Sequence, residues 1–156
     1  LRQDAGGEGT SRGGLGMQRE LRMLEENAVY SVLGDRAVVP PCGVHGGGAA
    51  HQLGVKLKRD SGLIQFDTPG KVTGFRLRKD DVVVMESAGG GGYGDPLERD
   101  LQAVPCDVQQ GYISAERARC GYGLVPDQIN TIDAAAPLAK RENFRHQGDA
   151  VVSECD

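Results

Sequence analysis

The sequence has no tryptophan, only three phenylalanines and four tyrosines in 156 residues. Its core must therefore rest on Val, Leu and Ala rather than on large aromatic side chains. No apolar run approaches the roughly 20 residues of a membrane-spanning helix, so no membrane partner is expected. The opening Leu1-Arg2-Gln3-Asp4-Ala5-Gly6-Gly7 lacks the apolar middle of a secretory leader. A basic excess is missing too: 18 basic against 22 acidic residues give a formal charge of −4. That balance argues against a dedicated nucleic-acid binder, although Lys56, Lys58 and Arg59 do cluster. The four cysteines (Cys42, Cys106, Cys120, Cys155) include no C-x-x-C pair. A cytoplasmic protein with free thiols is the simplest reading, and two disulfides are the other. No start-like element precedes the glycine-rich opening, so the chain is expected to be the back end of a longer polypeptide. Its length suits one domain with a real core.

Glycine is abundant, at 24 of 156 residues, roughly twice ordinary usage. The glycines cluster in three patches, Gly6–Gly16, Gly43–Gly48 and Gly89–Gly94, separated by strand-like segments. Such clustering indicates shaped loops on a scaffold. The most informative stretch is Gly89-Gly90-Gly91-Gly92-Tyr93-Gly94-Asp95, between an apolar segment and Pro96. Glycines there let the backbone approach something closely, or adopt dihedrals closed to other residues.

Periodicity predicts an α+β fold: a mostly antiparallel β region over about residues 15–88, followed by two or three short C-terminal helices. Leu53, Val55 and Leu57 alternate with Gly54, Lys56 and Lys58 as a half-buried strand does. Asp60-Ser61-Gly62 supplies a turn into Leu63–Phe66. Val72–Arg78 alternates with a slip around Gly74, and Val82–Met85 reads as the centre of a sheet. Met17–Glu26 has strong helix propensity and a competing period of two. Asp100 is expected to cap a helix reaching Gln109 and ended by Gly111, with Pro105 forcing a kink or a later start. Ser114 caps a second helix, and 133–144 is a third candidate. Residues 1–145 are read as one unit and 146–156 as a polar tail.

Motifs that would carry chemistry are incomplete. Gly89, Gly91 and Gly94 satisfy G-x-G-x-x-G, but Pro96 delays the following helix and no second parallel strand follows. Gly9-Thr10-Ser11-Arg12-Gly13 matches G-x-S-x-G without the strand that a nucleophile elbow needs, and only His45, His51 and His146 could act as base. Cys42, His45 and His51 are metal-capable, yet their spacing fits no standard zinc site, and no metal is assigned. Gly70-Lys71 is followed by Val72, where a phosphate loop needs Ser or Thr. Asp80, Asp81 and Asp95 are better read as turn and cap residues than as acid–base carboxylates. No residue is assigned to catalysis.

Several blocks, in one order, resemble the C-terminal part of hydantoinase B-type proteins. They include Arg2-Gln3-Asp4-Ala5-Gly6-Gly7-Glu8-Gly9, Arg12-Gly13-Gly14-Leu15-Gly16, Asp35-Arg36 and Pro40-Pro41-Cys42-Gly43-Val44-His45-Gly46-Gly47. Pro69-Gly70-Lys71-Val72-Thr73, Gly89–Asp100, Gly111–Glu116 and Tyr122-Gly123-Leu124-Val125 continue the series. That family includes subunits of N-methylhydantoinases, the B half of 5-oxoprolinases, and the large subunits of acetone and acetophenone carboxylases. The resemblance implies a strand after Arg12–Gly16, against the helix propensity there. It also implies a hetero-oligomer with a hydantoinase A-type, ATP-binding partner that activates a carbonyl or enol oxygen by phosphorylation. Opening of a lactam or hydantoin ring, or ketone carboxylation, then follows. No cofactor is expected in this chain; ATP and a divalent metal are implied for the full assembly, the metal upstream of the matched segment. Residues Gly89, Gly90, Gly91, Gly92, Tyr93, Gly94 and Asp95 are expected to form a substrate or interface loop. The rival reading is a non-catalytic interaction module or small structural subunit, and a stand-alone nucleotide binder ranks third. Gly48-Ala49-Ala50 departs from a turn that usually resembles G-K-P-G, removing a basic side chain.

Overall fold

The computed structural model describes residues 1–60 and 62–124. Six strands come first: β1 (Gln18–Arg22), β2 (Val29–Leu33), β3 (Gly54–Arg59), β4 (Gly62–Gln65), β5 (Lys71–Arg76) and β6 (Val82–Glu86). A 3-10 turn at Pro96–Glu98 precedes helices α1 (Ala103–Gln109) and α2 (Ala115–Tyr122). The expected α+β arrangement of antiparallel strands followed by short helices is therefore found. The third helix candidate, the polar tail and His146 lie outside the described residues. Among the described residues no helix is long and apolar enough to cross a membrane.

Four strands form an antiparallel sheet in the order β1-β6-β3-β4, and β2 pairs with β5 in a separate ribbon. The near-continuous apolar run of β6 makes it a central strand, paired on both sides. Strand β1 shows how pairing overrides propensity. All five of its residues are exposed, so its own burial does not hold it extended. It is held by its ladder with β6, extended at one end by Met23 N–H donating to the Asp81 carbonyl and at the other by Ser87 N–H donating to that of Met17, both at 2.8 Å.

The slip around Gly74 is a β-bulge. Register runs Val29 to Arg76 and Tyr30 to Phe75, then shifts by one residue to Val32 and Val72. Gly74 takes φ +65°, open to glycine at little cost, and donates its N–H to Ser31 Oγ at 3.0 Å. The sheet core is small: Leu57, Leu77 and Val83 are buried, with Phe66 and Phe75 meeting edge-to-face at 5.1 Å beside them.

A second core joins the helices, with Val104, Ile113, Ala118, Tyr122 and Leu124 buried together. Helix α1 starts later than Asp100, whose Oδ1 accepts from Gln102 N–H at 3.0 Å one turn earlier. Pro105 then falls in the first turn, where its missing N–H would have had no helical partner. Gly111 ends this helix at φ +71°. Ser114 Oγ accepts from Arg117 N–H at 3.0 Å, the expected cap of α2. Cys42 and Cys106 are free exposed thiols, whereas Cys120 is disulfide-bonded, so the free-thiol expectation holds for two of the three described cysteines.

One buried carboxylate ties the strand ends together. Asp81, 2% exposed, accepts from Arg59 Nε (2.9 Å) and Nη2 (2.7 Å) and from Arg78 N–H (2.8 Å). The Arg59 hydrogen bonds hold this carboxyl below its usual range, outweighing the opposing effect of burial. Because the folded-state value is depressed, its stabilisation is present above the unfolded-state value near 4 and is lost as pH falls through the folded one. Asp81→Asn is expected to lower stability at neutral pH and to flatten the decline between about pH 5 and pH 2. Urea unfolding across that range checks both effects.

Candidate functional site

The three glycine patches, far apart in sequence, meet as backbone. Gly7 N–H donates to Gly90 O (2.9 Å), Gly90 N–H to Gly14 O (2.8 Å), and Gly13 N–H to Gly7 O (2.9 Å). The middle patch closes the bundle: Gly48 N–H donates to Glu8 O (2.7 Å) and Gly92 N–H to Gly48 O (2.9 Å). Of the glycines in these patches only Gly46 and Gly94 have positive φ. Dihedral freedom therefore does not explain most of the glycines; space does. A Cβ on Gly13 would overlap the Gly90 carbonyl, one on Gly92 the Glu8 carbonyl, and one on Gly91 the Cys42 carbonyl. These are rigid backbone atoms, unable to yield as a flexible side chain would.

The bundle continues the sheet. Gly16 leads into β1, Ser87 leaves β6, and Arg2 N–H donates to Gly16 O at 2.8 Å. On the helical side, Asp4 N–H donates to Tyr112 O (3.0 Å) and Asp4 Oδ1 accepts from Ser114 N–H (2.7 Å). Charged side chains clamp the same junction. Asp107 accepts from Arg12 Nε at 3.0 Å and Arg99 Nη2 at 2.8 Å, and Glu8 pairs with Arg117. All five side chains are mostly buried. Sequence reasoning singled out none of these pairs. Their partners stand up to 109 residues apart (117 minus 8), and the only local signal was a charge set among close-packed glycines.

At one end the bundle carries an exposed tip. Tyr93 exchanges N–H···O bonds of 3.0 Å with Ser11 on one side. On the other, Val44 N–H donates to Gly92 O and Gly94 N–H to Val44 O, each 2.9 Å. The His45 ring meets the Tyr93 ring edge-to-face at 5.1 Å. Asp95 caps the 3-10 turn by accepting from Leu97 N–H at 2.8 Å, and its carbonyl accepts from Thr10 Oγ1 at 2.8 Å.

The seven residues Gly89 to Asp95 thus divide into a packed part, the first four glycines, and a tip formed by the rest. The N–H groups of Gly89, Gly90, Gly92, Tyr93 and Gly94 all donate to protein carbonyls. They are not aimed at a phosphate, in keeping with the weak fit to a dinucleotide fingerprint. Ser11 lies in the bundle ladder rather than on an elbow. No group of three or more metal-capable side chains occurs among the described residues, so Cys42, His45 and His51 form no such centre. Asp80 sits in a turn at φ +68°. Lys56, Lys58 and Arg59 pair with Glu86, Glu20 and Asp81, consistent with a structural role for that basic cluster. His51 flanks two clefts, one of about 450 Å³ with Arg2 and Glu86, the other of about 260 Å³ with Asp4 and Ser114.

A glycine bundle continuous with a small antiparallel sheet defines the class, and comparison with known proteins identifies it. The family model Hydantoinase B/oxoprolinase matches residues 1–96, and the chain belongs to this family. It is similar to the beta subunit of caprolactamase from Pseudomonas jessenii, 35% identical over 148 residues, covering 90% of this chain and 25% of that protein. It is also similar to the B-type subunit of a putative D-/L-hydantoinase from Pseudomonas sp. (strain NS671), 30% identical over 135 residues, covering 85% and 22%. The nucleotide-free structure of acetone carboxylase shares the fold, with a TM-score of 0.77 at 23% identity over 99% of this chain and 25% of that one. The chain spans about a quarter of the length of these relatives.

Neighbouring glycines give a direct test of the packing argument. A Cβ on Gly14 would meet nothing within 4 Å, so Gly14→Ala is expected to change stability by no more than about 0.5 kcal/mol. Gly13→Ala, forced onto the Gly90 carbonyl, is expected to cost at least about 3 kcal/mol. Denaturant midpoints of the two variants measure the contrast.

Proposed function

We propose that this chain is the C-terminal portion of a hydantoinase B-type subunit in an ATP-dependent assembly. That assembly would open a cyclic amide such as 5-oxoproline or an N-methylhydantoin, or carboxylate a ketone. The match of the family model to residues 1–96 carries this reading. Two relatives named as subunits of a caprolactamase and a hydantoinase, and a fold shared with an enzyme of ATP-dependent acetone carboxylation, support it.

In this reading the assembly is a hetero-oligomer, and a hydantoinase A-type partner handles ATP. The described residues offer ATP and a divalent metal a poor fit: most N–H groups of the Gly89–Gly94 loop are engaged by carbonyls, and no set of three metal-capable side chains converges. In this reading both groups are held by polypeptide beyond this chain. The role left to this portion is mechanical. Its glycine bundle forms an unyielding body that presents the Tyr93 tip and the clefts beside His51 to the surrounding polypeptide, and its loops shape subunit contacts and part of a substrate channel. Rigid support of this kind matters because small misplacements of a substrate reduce rate steeply.

The test is ATP-dependent turnover of 5-oxoproline or a hydantoin by the complete assembly carrying single substitutions. Gly92→Ala, whose Cβ would strike the Glu8 carbonyl, is expected to reduce turnover at least about 100-fold, while Gly14→Ala keeps it. Unchanged turnover in Gly92→Ala removes the loop from the mechanism. Turnover by this chain alone overturns the assignment of the chemistry elsewhere.

A further inference from the structure

Tyr93 is 55% exposed and Val44 52%, yet the backbone of both is hydrogen-bonded into the glycine bundle. Tyr93 is laddered to Ser11 on one side and Val44 on the other, so its ring projects from a body that cannot relax around it. His45, also exposed, takes φ +52°, a left-handed conformation that costs a residue with a Cβ about 1 kcal/mol or more. That conformation sets the imidazole against the tyrosine ring at an interplanar angle of 72°. An aliphatic, an imidazole and a phenol thus share one rigid tip. Isolated exposed apolar residues need no explanation, but a preorganised group carrying backbone strain does.

We propose that Val44, His45 and Tyr93 are the anchor by which this quarter of the subunit docks onto the remaining polypeptide of the same subunit. The inference rests on the family reading above. The complementary surface would be an apolar hole lined with an acceptor for the phenol hydroxyl, since tyrosine combines a large apolar face with one polar end. Two considerations select the same polypeptide as occupant. Relatives carry about three times as much chain beyond the matched stretch, the largest body available for contact. A covalently linked partner is also present at high effective concentration, so a small patch suffices to hold it. Tyrosine ordered by its backbone loses little entropy on docking, having only two side-chain torsions.

The experiment uses the full assembly with Tyr93→p-benzoylphenylalanine, and Leu63→p-benzoylphenylalanine as a control of similar exposure on strand β4. Irradiation is expected to join position 93 to a peptide of the same subunit lying outside residues 1–156. Joining to the ATP-handling chain, to a second copy, to residues within 1–156, or at no more than the control yield overturns the proposal. Independently, Tyr93→Ala is expected to shorten the half-life of the assembly at raised temperature about tenfold or more, the size of effect typical of a central tyrosine anchor. An unchanged half-life also overturns it. ATP-dependent turnover of the unsubstituted assembly is measured first, so failure of the functional reading is seen separately from failure of the dock.

Discussion

Backbone packed directly on backbone is the constraint from which the rest of this structure follows. Where the three glycine patches cross, carbonyl oxygens occupy the space that side chains would fill elsewhere. Such a region buries little apolar surface, so it gains little from the hydrophobic effect. It must also order glycines, the residues with most conformational freedom to lose. Its compensation is a dense set of short N–H···O bonds between segments distant in sequence. Because each bond joins two rigid backbones, displacing one segment breaks contacts in both others.

Such a bundle depends on its supports. On one side it runs without interruption into β1 and β6, so the buried valines of β6 anchor it. On the other, the Arg12–Asp107–Arg99 and Glu8–Arg117 pairs fasten it to the helical core. Removing one member of a buried pair leaves an uncompensated charge, so these fastenings hold only as complete sets. The scarcity of aromatics also makes sense here. Two modest cores of Val, Leu and Ala suffice when much of the chain is organised by backbone bonds, and the described aromatic left most exposed, Tyr93, sits at the tip.

Much of the architecture was legible in particular residues. The alternation of Leu53 to Lys58, the apolar run at Val82, the cap at Ser114 and the stop at Gly111 each act through near neighbours, and each stands where periodicity and capping placed it. The slip at Gly74 was visible as a broken alternation because a bulge changes which face a residue occupies. Met17–Glu26 was not legible from propensity. The strand within it, Gln18–Arg22, is set by a partner 60 (82 minus 22) to 68 (86 minus 18) residues away, and only the family resemblance pointed to it. Asp100 was placed in a cap, with a kink or a later start expected from Pro105; the later start is what occurs, with Pro105 in the first turn.

The amino-acid sequence by itself determined where most strands, turns and helix ends fall, and that glycine would gather in three places. Those outcomes depend on dihedral preference and on apolar spacing, which act over a few residues. Only the tertiary structure decided that the three places are one object, that most of its glycines are demanded by crowding rather than by φ, and that Tyr93 and His45 share its tip. The physical reason is that close approach between carbonyls and Cα atoms has no signature in spacing: it exists only once distant segments have met.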